Sequence, residues 1–455
     1  MLRKPSILFL IVALVFGLIT IYLTPPFQSP DETNHFHRSI HISEGHVMGE
    51  KRDGNRLGGM LSTDALRYTL RYDYVRKSDN PKFNNIATDL YKNPDTPEKT
   101  FIDFANVGYY SPTVYLPQVI GVAFAKRCNL GIYYQFYLGR LTGFLAWVFL
   151  IFLAIRIIPI GKYLLLFVAL LPASISLHST LTGDSFSNAL SFLWIALMIR
   201  AITTDHKINV KEWIMLLLII ACITINKLVY FPLTLMIIMI PSVNMKWANW
   251  MKGIILFVVL LILMMWIPYG KSMFIPYDFY AVELRDVQQL NEGVRPDEQL
   301  QYILSNPFRF IRTAIISYIE SAPSTWSHYI GKFGWEKNYI PFVVIGLLTF
   351  VLGGLSLTRM KNETILSTKQ RIQFLGIALF MIAGFTVSIY MQWSPVGNDR
   401  IWSLSGRYFF AIMPVFLFAL PKFQILENSK WSLLPVCFSI IGLVFLMYSI
   451  GIRYY

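Results

Sequence analysis

Residues 3–38 read RKPSILFLIVALVFGLITIYLTPPFQSPDETNHFHR, and this stretch decides the fold. An apolar run from Pro5 to Leu23, long enough to cross a bilayer, follows two basic residues and ends at Pro25-Pro26. The Tyr22-Leu23-Thr24-Pro25-Pro26 segment offers no small-residue cleavage site. The run therefore reads as an uncleaved signal anchor, with Arg3 and Lys4 on the cytoplasmic side. Directly after it, Ser29-Pro30-Asp31-Glu32 reads as a helix start. Ser29 is the N-cap, Pro30 the first helical residue, and Glu32 completes an S-x-x-E capping box. Asp31 then falls in the first turn, where the helix dipole favours a carboxylate. His35 and Arg38 follow at i+4 and i+7, so a carboxylate, an imidazole and a guanidinium share one stripe beside a membrane.

The rest of the chain agrees with a membrane protein. Its 455 residues are 55% hydrophobic and 15% charged, with a mean hydropathy of +0.50. A soluble domain of this length does not carry so many uninterrupted apolar runs. The net charge of +14 sits mostly in short loops between those runs, which is the positive-inside pattern. Anionic lipid, not nucleic acid, is the expected counter-charge. Cys128, Cys222 and Cys437 have no metal-ligand spacing, and no disulfide framework is expected.

The expected fold is an all-α polytopic bundle with about eleven transmembrane helices. Beyond the first, spans are placed near 136–157, 163–178, 185–202, 210–226, 228–241, 251–268, 339–357, 372–391, 406–421 and 432–450. Three regions follow: 1–268, a transmembrane module that includes a long external loop at 25–135; 269–338, a second large external loop; and 339–455, the C-terminal helices. The apolar segment Tyr109–Phe124 is interrupted by Pro112 and Pro117 and is short for a span. Only if it dips into the outer leaflet without crossing do the later loops obey the positive-inside rule. In the first loop, Gly54, Gly58 and Gly59 read as a turn, and the stretch around Pro94–Lys99 as a mobile loop.

On this topology the Asp31 stripe, Asp184, Lys227, Gly334-Trp335 and Gly406-Arg407-Tyr408 all face outward. Ionisable groups at the ends of spans are functional candidates because charge is costly near hydrocarbon. Asp31 reads either as a general base or as an acid that satisfies the helix dipole. Glu32 reads first as the capping partner. Asp184 either lines a polar cavity or caps the next helix. Lys227 and Arg407 either clamp an anionic group or snorkel to headgroups, and Arg38 and Arg140 are weaker clamps. His35 is a hydrogen-bonding partner for Asp31. Tyr109, Tyr110, Tyr115, Trp326, Trp335 and Tyr408 either stack on a sugar ring or form an interfacial belt. His37 and His41 have HxxxH spacing, but no Glu lies between them and Arg38 would repel a cation, so no metal site is expected.

Several motifs resemble the bacterial membrane proteins classed as domain of unknown function 2142. They are Pro25-Pro26-Phe27-Gln28-Ser29-Pro30-Asp31-Glu32 with His35-Phe36, Tyr109-Tyr110-Ser111-Pro112 with Tyr115 and Pro117, Asp184 with Asn188, Lys227 with Tyr230, Gly331-Lys332-Phe333-Gly334-Trp335, and Gly406-Arg407-Tyr408-Phe409. The resemblance runs from about Pro25 to Pro414. It departs at Ser403-Leu404-Ser405, where a Gln-Gly pair is expected. That family is in turn similar to the GT-C superfamily of integral-membrane glycosyltransferases. This second likeness implies an active site on the extracytoplasmic face of the bacterial cytoplasmic membrane, with the N-terminus inside. It also implies a polyprenyl-phosphate sugar donor, an envelope glycan acceptor and no required cofactor. Carried over by position, the resemblance implies Asp31 as base, Asp184 as second acid and phosphate contacts at Lys227 and Arg407; Glu32, beside them, completes the candidate catalytic set. The substrate-binding set is His35, Arg38, Lys227, Trp335, Arg407 and Tyr408. Two other functions compete: a transporter or flippase of lipid-linked sugars, and a polymerase or ligase of lipid-linked glycans. A transporter is expected to show mid-membrane charges and paired halves, which the sequence lacks.

Overall fold

The computed structural model describes residues 4–78, 83, 91–204, 206–241, 248–335, 338–360, 363–426 and 433–455. The chain is mostly helical, in the order α1 (Pro5–Leu23), α2 (Glu32–Ser43), α3 (Thr63–Lys77), α4 (Leu116–Arg127), α5 (Ile132–Ile157), α6 (Lys162–Ala169), α7 (Pro172–His178), α8 (Asp184–Thr203), α9 (Val210–Asn226), α10 (Ala248–Met273), α11 (Pro296–Ser305), α12 (Pro307–Ile330), α13 (Phe342–Leu357), α14 (Thr368–Trp393), α15 (Ile412–Ala419) and α16 (Leu434–Tyr454). Helix α5 is central, packing against α1, α4 and α8. Its Trp147 and Arg140 are fully buried.

Among the described residues, six helices are long and apolar enough to cross a membrane: α1, α5, α8, Asn249–Met273 within α10, α14 and α16. That is fewer than the sequence pattern promised, and proline accounts for much of the difference. Pro172 opens α7 and splits the 163–178 segment into helices of 8 and 7 residues. Residues Leu228–Met239 form a 3₁₀ helix of 12 residues around Pro232. The 406–421 segment divides into a 3₁₀ turn at Gly406–Phe409 and the 8-residue α15, and α13 has only 16 residues. Large apolar side chains such as Val15, Phe149, Phe257, Met265 and Phe350 are exposed on these helices. Single scattered residues of this kind are ordinary on a soluble surface, but rows of them on apolar helices call for hydrocarbon.

The segment after Tyr109 does not make a full span. It forms a 3₁₀ turn at Pro112–Tyr115 and then the 12-residue α4. At 1.5 Å per residue α4 is about 18 Å long, against roughly 30 Å of hydrocarbon. Its exposed Leu116, Ile120 and Phe124 lie at i, i+4 and i+8 on one face.

The first external loop is more ordered than its polarity implies. Strands β1 (Glu50–Arg52), β2 (Arg56–Ser62) and β3 (Lys99–Asp103) form an antiparallel sheet in that order. Of the three glycines read as one turn, only Gly54 is in the turn, with Asp53 and Gly54 both at positive φ (52° and 73°). This is the pair favoured for a tight hairpin. Gly58 and Gly59 instead lie in β2. A Cβ at Gly58 would collide with the Ile102 carbonyl, and one at Gly59 with the His41 ring. The Pro94–Lys99 stretch is also anchored. Asp64 accepts from the Thr96 amide at 2.7 Å, and Asp95 accepts from Gln135 at 2.7 Å. In the second loop, a hairpin of β4 (Lys332–Phe333) and β5 (Asn338–Tyr339) follows α12.

Candidate functional site

Everything at the site depends on how the chain turns out of α1. Phe27 and Asp31 both adopt left-handed backbone conformations, with φ of 64° and 63°. For an aromatic residue this is rare, and such strain persists only where the surroundings enforce it. Phe27 is enclosed by Phe36, Tyr68, Tyr72 and Phe136, with ring centroids 4.8–5.9 Å away. The helix consequently begins at Glu32, two residues later than the capping-box reading requires, and Ser29 does not cap it. Asp31 occupies the N-cap position without bonding its own helix. Its carboxylate is free to face outward.

Glu32 is a structural residue. It is fully buried against the equally buried Arg140 of α5, with two bonds of 2.8 and 2.7 Å. It also accepts from the backbone amides of Phe27 and Leu181, both at 2.9 Å. Arg140 donates in addition to the carbonyls of Ile21, Thr24 and Pro25. This pair stitches the end of α1, the start of α2, α5 and the turn before α8 into one unit. Neither residue is available to a substrate, which removes Glu32 from the catalytic set and Arg140 from the clamps.

Arg38 is corrected in the same way. Its guanidinium turns away from Asp31 and donates to the Val47 carbonyl at 2.5 Å and to His41 Nδ1 at 2.8 Å. With Nδ1 accepting, the His41 Nε2–H points at Glu50 Oε1, 3.2 Å away, and His46 reaches the same oxygen at 3.1 Å. These three side chains are close enough to hold an ion, but the Arg38 bond puts a proton on the ring nitrogen that would have to ligate it. The trio is a hydrogen-bonded chain headed by a cation. Burial and the Arg38 charge together push the His41 imidazole down to about 4.

The remaining candidates converge. Asp31 Oδ2 accepts from Arg407 Nη2 at 2.9 Å, and Oδ1 accepts from Asn106 Nδ2 at 2.8 Å. Lys227 pairs with Asp184 at 2.5 Å. The Tyr408 ring separates these two ion pairs. Its centroid is 5.0 Å from Lys227 Nζ and 4.9 Å from the Arg407 guanidinium carbon, and its hydroxyl accepts from Arg407 Nη2 at 2.8 Å. Asp31, Asp184, Arg407 and Lys227 retain between 11% and 19% exposure, so they are sheltered yet reachable. Asp184 begins α8 but spends its carboxylate on Lys227 and leaves the helix uncapped. His35 lies among the four charges. Its Nδ1 shares a 2.8 Å bond with the Tyr115 hydroxyl, not with Asp31. Burial lowers its imidazole to about 4, partly opposed by Asp31 and Asp184, so the ring is neutral at pH 7.

Two supports complete the arrangement: Asn106, which no sequence pattern singles out, and Tyr230, whose motif carries no role of its own. Asn106 is oriented by Asn34, whose amide donates to Asn106 Oδ1 at 2.7 Å and to Gln288 of the second external loop at 3.2 Å. The single Tyr230 hydroxyl proton is shared between Asn188 Oδ1 at 3.2 Å and the Tyr408 carbonyl at 3.3 Å, which ties the 3₁₀ helix after Lys227 to the Arg407 turn. Gly406 has to be glycine, because a Cβ there would collide with the backbone of α12 at Thr325 and Tyr329. Trp335 donates to the Phe27 carbonyl at 3.0 Å, docking the β4–β5 turn on the chain reversal; it is a brace beside the site. A cleft opens next to Arg407, between Ser29-Pro30, α7 and β4.

These features define a polytopic membrane protein whose polar site is assembled from residues far apart in the chain, two acids each held by its own cation. The chain belongs to the family described as predicted membrane protein (DUF2142), whose profile matches residues 14–416 and so contains every residue of the site. No curated protein and no solved structure matches the chain.

Proposed function

We propose that the protein is an extracytoplasmic glycosyltransferase of GT-C type, moving a sugar from a polyprenyl-phosphate donor to an envelope glycan. The observation that carries this reading is the presentation of Asp31. Its carboxylate is thrown out of its own helix by a left-handed backbone and fixed between Asn106 and Arg407, and Arg407 lines a cleft. Each carboxylate oxygen keeps a lone pair for a further donor. An acceptor hydroxyl bonded there attacks the anomeric carbon and gives its proton to Asp31. The bond from that carbon to the phosphate oxygen breaks, and its electron pair leaves with the polyprenyl phosphate. Arg407 faces the charge that grows on the phosphate, and fixed cations in a low-dielectric site are effective at that task. Asp184 holds Lys227 in place beside Tyr408. Direct displacement inverts the sugar carbon.

In this reading the site faces the outside of the bacterial cytoplasmic membrane and the N-terminus lies inside. The 17-residue α9 and the short or broken segments at 163–178, 228–241, 339–357 and 406–421 complete about eleven crossings together with the six long helices. No cofactor is required. A polymerase or ligase would use the same chemistry on a larger acceptor. The test is turnover of a radiolabelled polyprenyl-phosphate hexose by the purified protein with envelope glycan as acceptor. Release of polyprenyl phosphate with an inverted glycosidic product is expected; no turnover, or retention of configuration, overturns the proposal.

A further inference from the structure

Of the cations first read as phosphate clamps, Lys227 is held by Asp184 and Arg140 by Glu32. One lysine outside that set stands differently. Lys332, in β4, lines the cleft beside Arg407, and its ammonium makes no hydrogen bond or ion pair among the described residues. Its backbone is not loose. Lys332 pairs with Tyr339 in the hairpin, Gly334 makes the turn at φ 64°, and Trp335 fastens that turn to Phe27. Arg407 donates to Asp31 and Tyr408 through Nη2 alone, so its Nε and Nη1 donors are uncommitted among the described residues. Leu177, Phe333 and Phe410 give the cleft apolar walls. A lysine on an anchored hairpin, with no partner among the described residues, beside unused guanidinium donors in a partly apolar cleft, suits an anion that carries hydrocarbon.

We propose that this cleft is the subsite for the phosphate of a polyprenyl phosphate, with Lys332 and Arg407 as its two cations. The phosphate oxygens bridge Lys332 Nζ and Arg407, while the first isoprene units lie against Leu177, Phe333 and Phe410. This inference rests on the proposed transferase reading, but it concerns binding and is tested without turnover. Purified full-length protein in detergent is titrated with a polyprenyl monophosphate, followed by tryptophan fluorescence. Parallel titrations use the neutral polyprenol, phosphatidylglycerol and inorganic phosphate.

Loss of one charge-assisted contact weakens binding about tenfold or more. Lys332→Gln is therefore expected to raise Kd for polyprenyl monophosphate by about that factor at an unchanged melting temperature. Lys332→Arg is expected to restore affinity to within about threefold. Polyprenol binding is expected to be the same in all three proteins. Equal affinity of wild type and Lys332→Gln for polyprenyl monophosphate overturns the proposal. So does equal Lys332-dependent binding of phosphatidylglycerol or of inorganic phosphate, which would place the ligand in the bulk lipid or in solution. Lys332-dependent binding without sugar transfer leaves this inference standing and removes the transferase. Transfer without Lys332-dependent binding does the reverse.

Discussion

Replacing Glu32 with Gln separates structure from chemistry at the most concentrated point of the fold. The carboxylate is fully buried and accepts four hydrogen bonds, two from Arg140 and two from backbone amides. Gln keeps the shape and one carbonyl oxygen, but it turns an amide toward Arg140 and leaves that guanidinium buried without a counter-charge. Breaking one partner of a buried pair costs about 3–5 kcal/mol. The three backbone carbonyls that Arg140 also reaches soften the loss but carry no net charge. A destabilisation near the lower end of that range is expected. Thermal unfolding in detergent, followed by tryptophan fluorescence, is the assay. Glu32→Gln should melt many degrees below wild type, and so should Arg140→Met. The double variant Glu32→Met/Arg140→Met leaves no charge unpaired but orphans the Phe27 and Leu181 amides and three carbonyls, so it should recover only part of the loss. A Glu32→Gln protein that melts within a degree of wild type yet loses sugar transfer would refute this account and return Glu32 to catalysis.

Three further expectations follow from other parts of the structure. Asn106→Ala removes one of the two groups that aim Asp31 and should lower kcat about tenfold with little change in melting temperature, measured by transfer at saturating donor. His35 is buried and lowered to about 4, so the unfolded chain takes up a proton that the folded chain refuses as pH falls from 6.5 toward 4. Its contribution is full above about pH 6.5 and is lost across that window, at most about 3 kcal/mol. His37 behaves alike, so the check is the difference in melting temperature against pH between wild type and His35→Gln. Finally, Cys128 is exposed just beyond α4. In a Cys222→Ser/Cys437→Ser background an impermeant maleimide should label it in intact cells; labelling only after permeabilisation would invert the topology.

The four charged residues that converge stand out in the sequence, whereas their pairing does not. Charge at the ends of apolar runs singles out Asp31, Asp184, Lys227 and Arg407, because such groups are costly near hydrocarbon. Which acid meets which cation depends on contacts across 376 and 43 residues, and no local pattern encodes those. The capping-box reading of Ser29–Glu32 failed for a tertiary reason. Arg140 claims Glu32, and the reversed backbone at Phe27 and Asp31 delays the helix by two residues. The stripe reading failed at Arg38, whose guanidinium is drawn to loop carbonyls. The small sheet was missed because its strands are 3, 7 and 5 residues long, although Asp53-Gly54 was a usable hairpin signal. Apolar periodicity located the segments near the membrane, but it is blind to Pro172 and Pro232 breaking two of them.

The central claim is that Asp31 takes the acceptor proton. Asn at this position tolerates the left-handed backbone and keeps the contact toward Asn106, so the fold is expected to persist. Sugar transfer from a polyprenyl-phosphate donor by Asp31→Asn, at a melting temperature near that of wild type, is the direct measurement. The account predicts a fall in kcat of roughly 10²–10⁴ with donor binding retained; near wild-type turnover by the folded variant would contradict it.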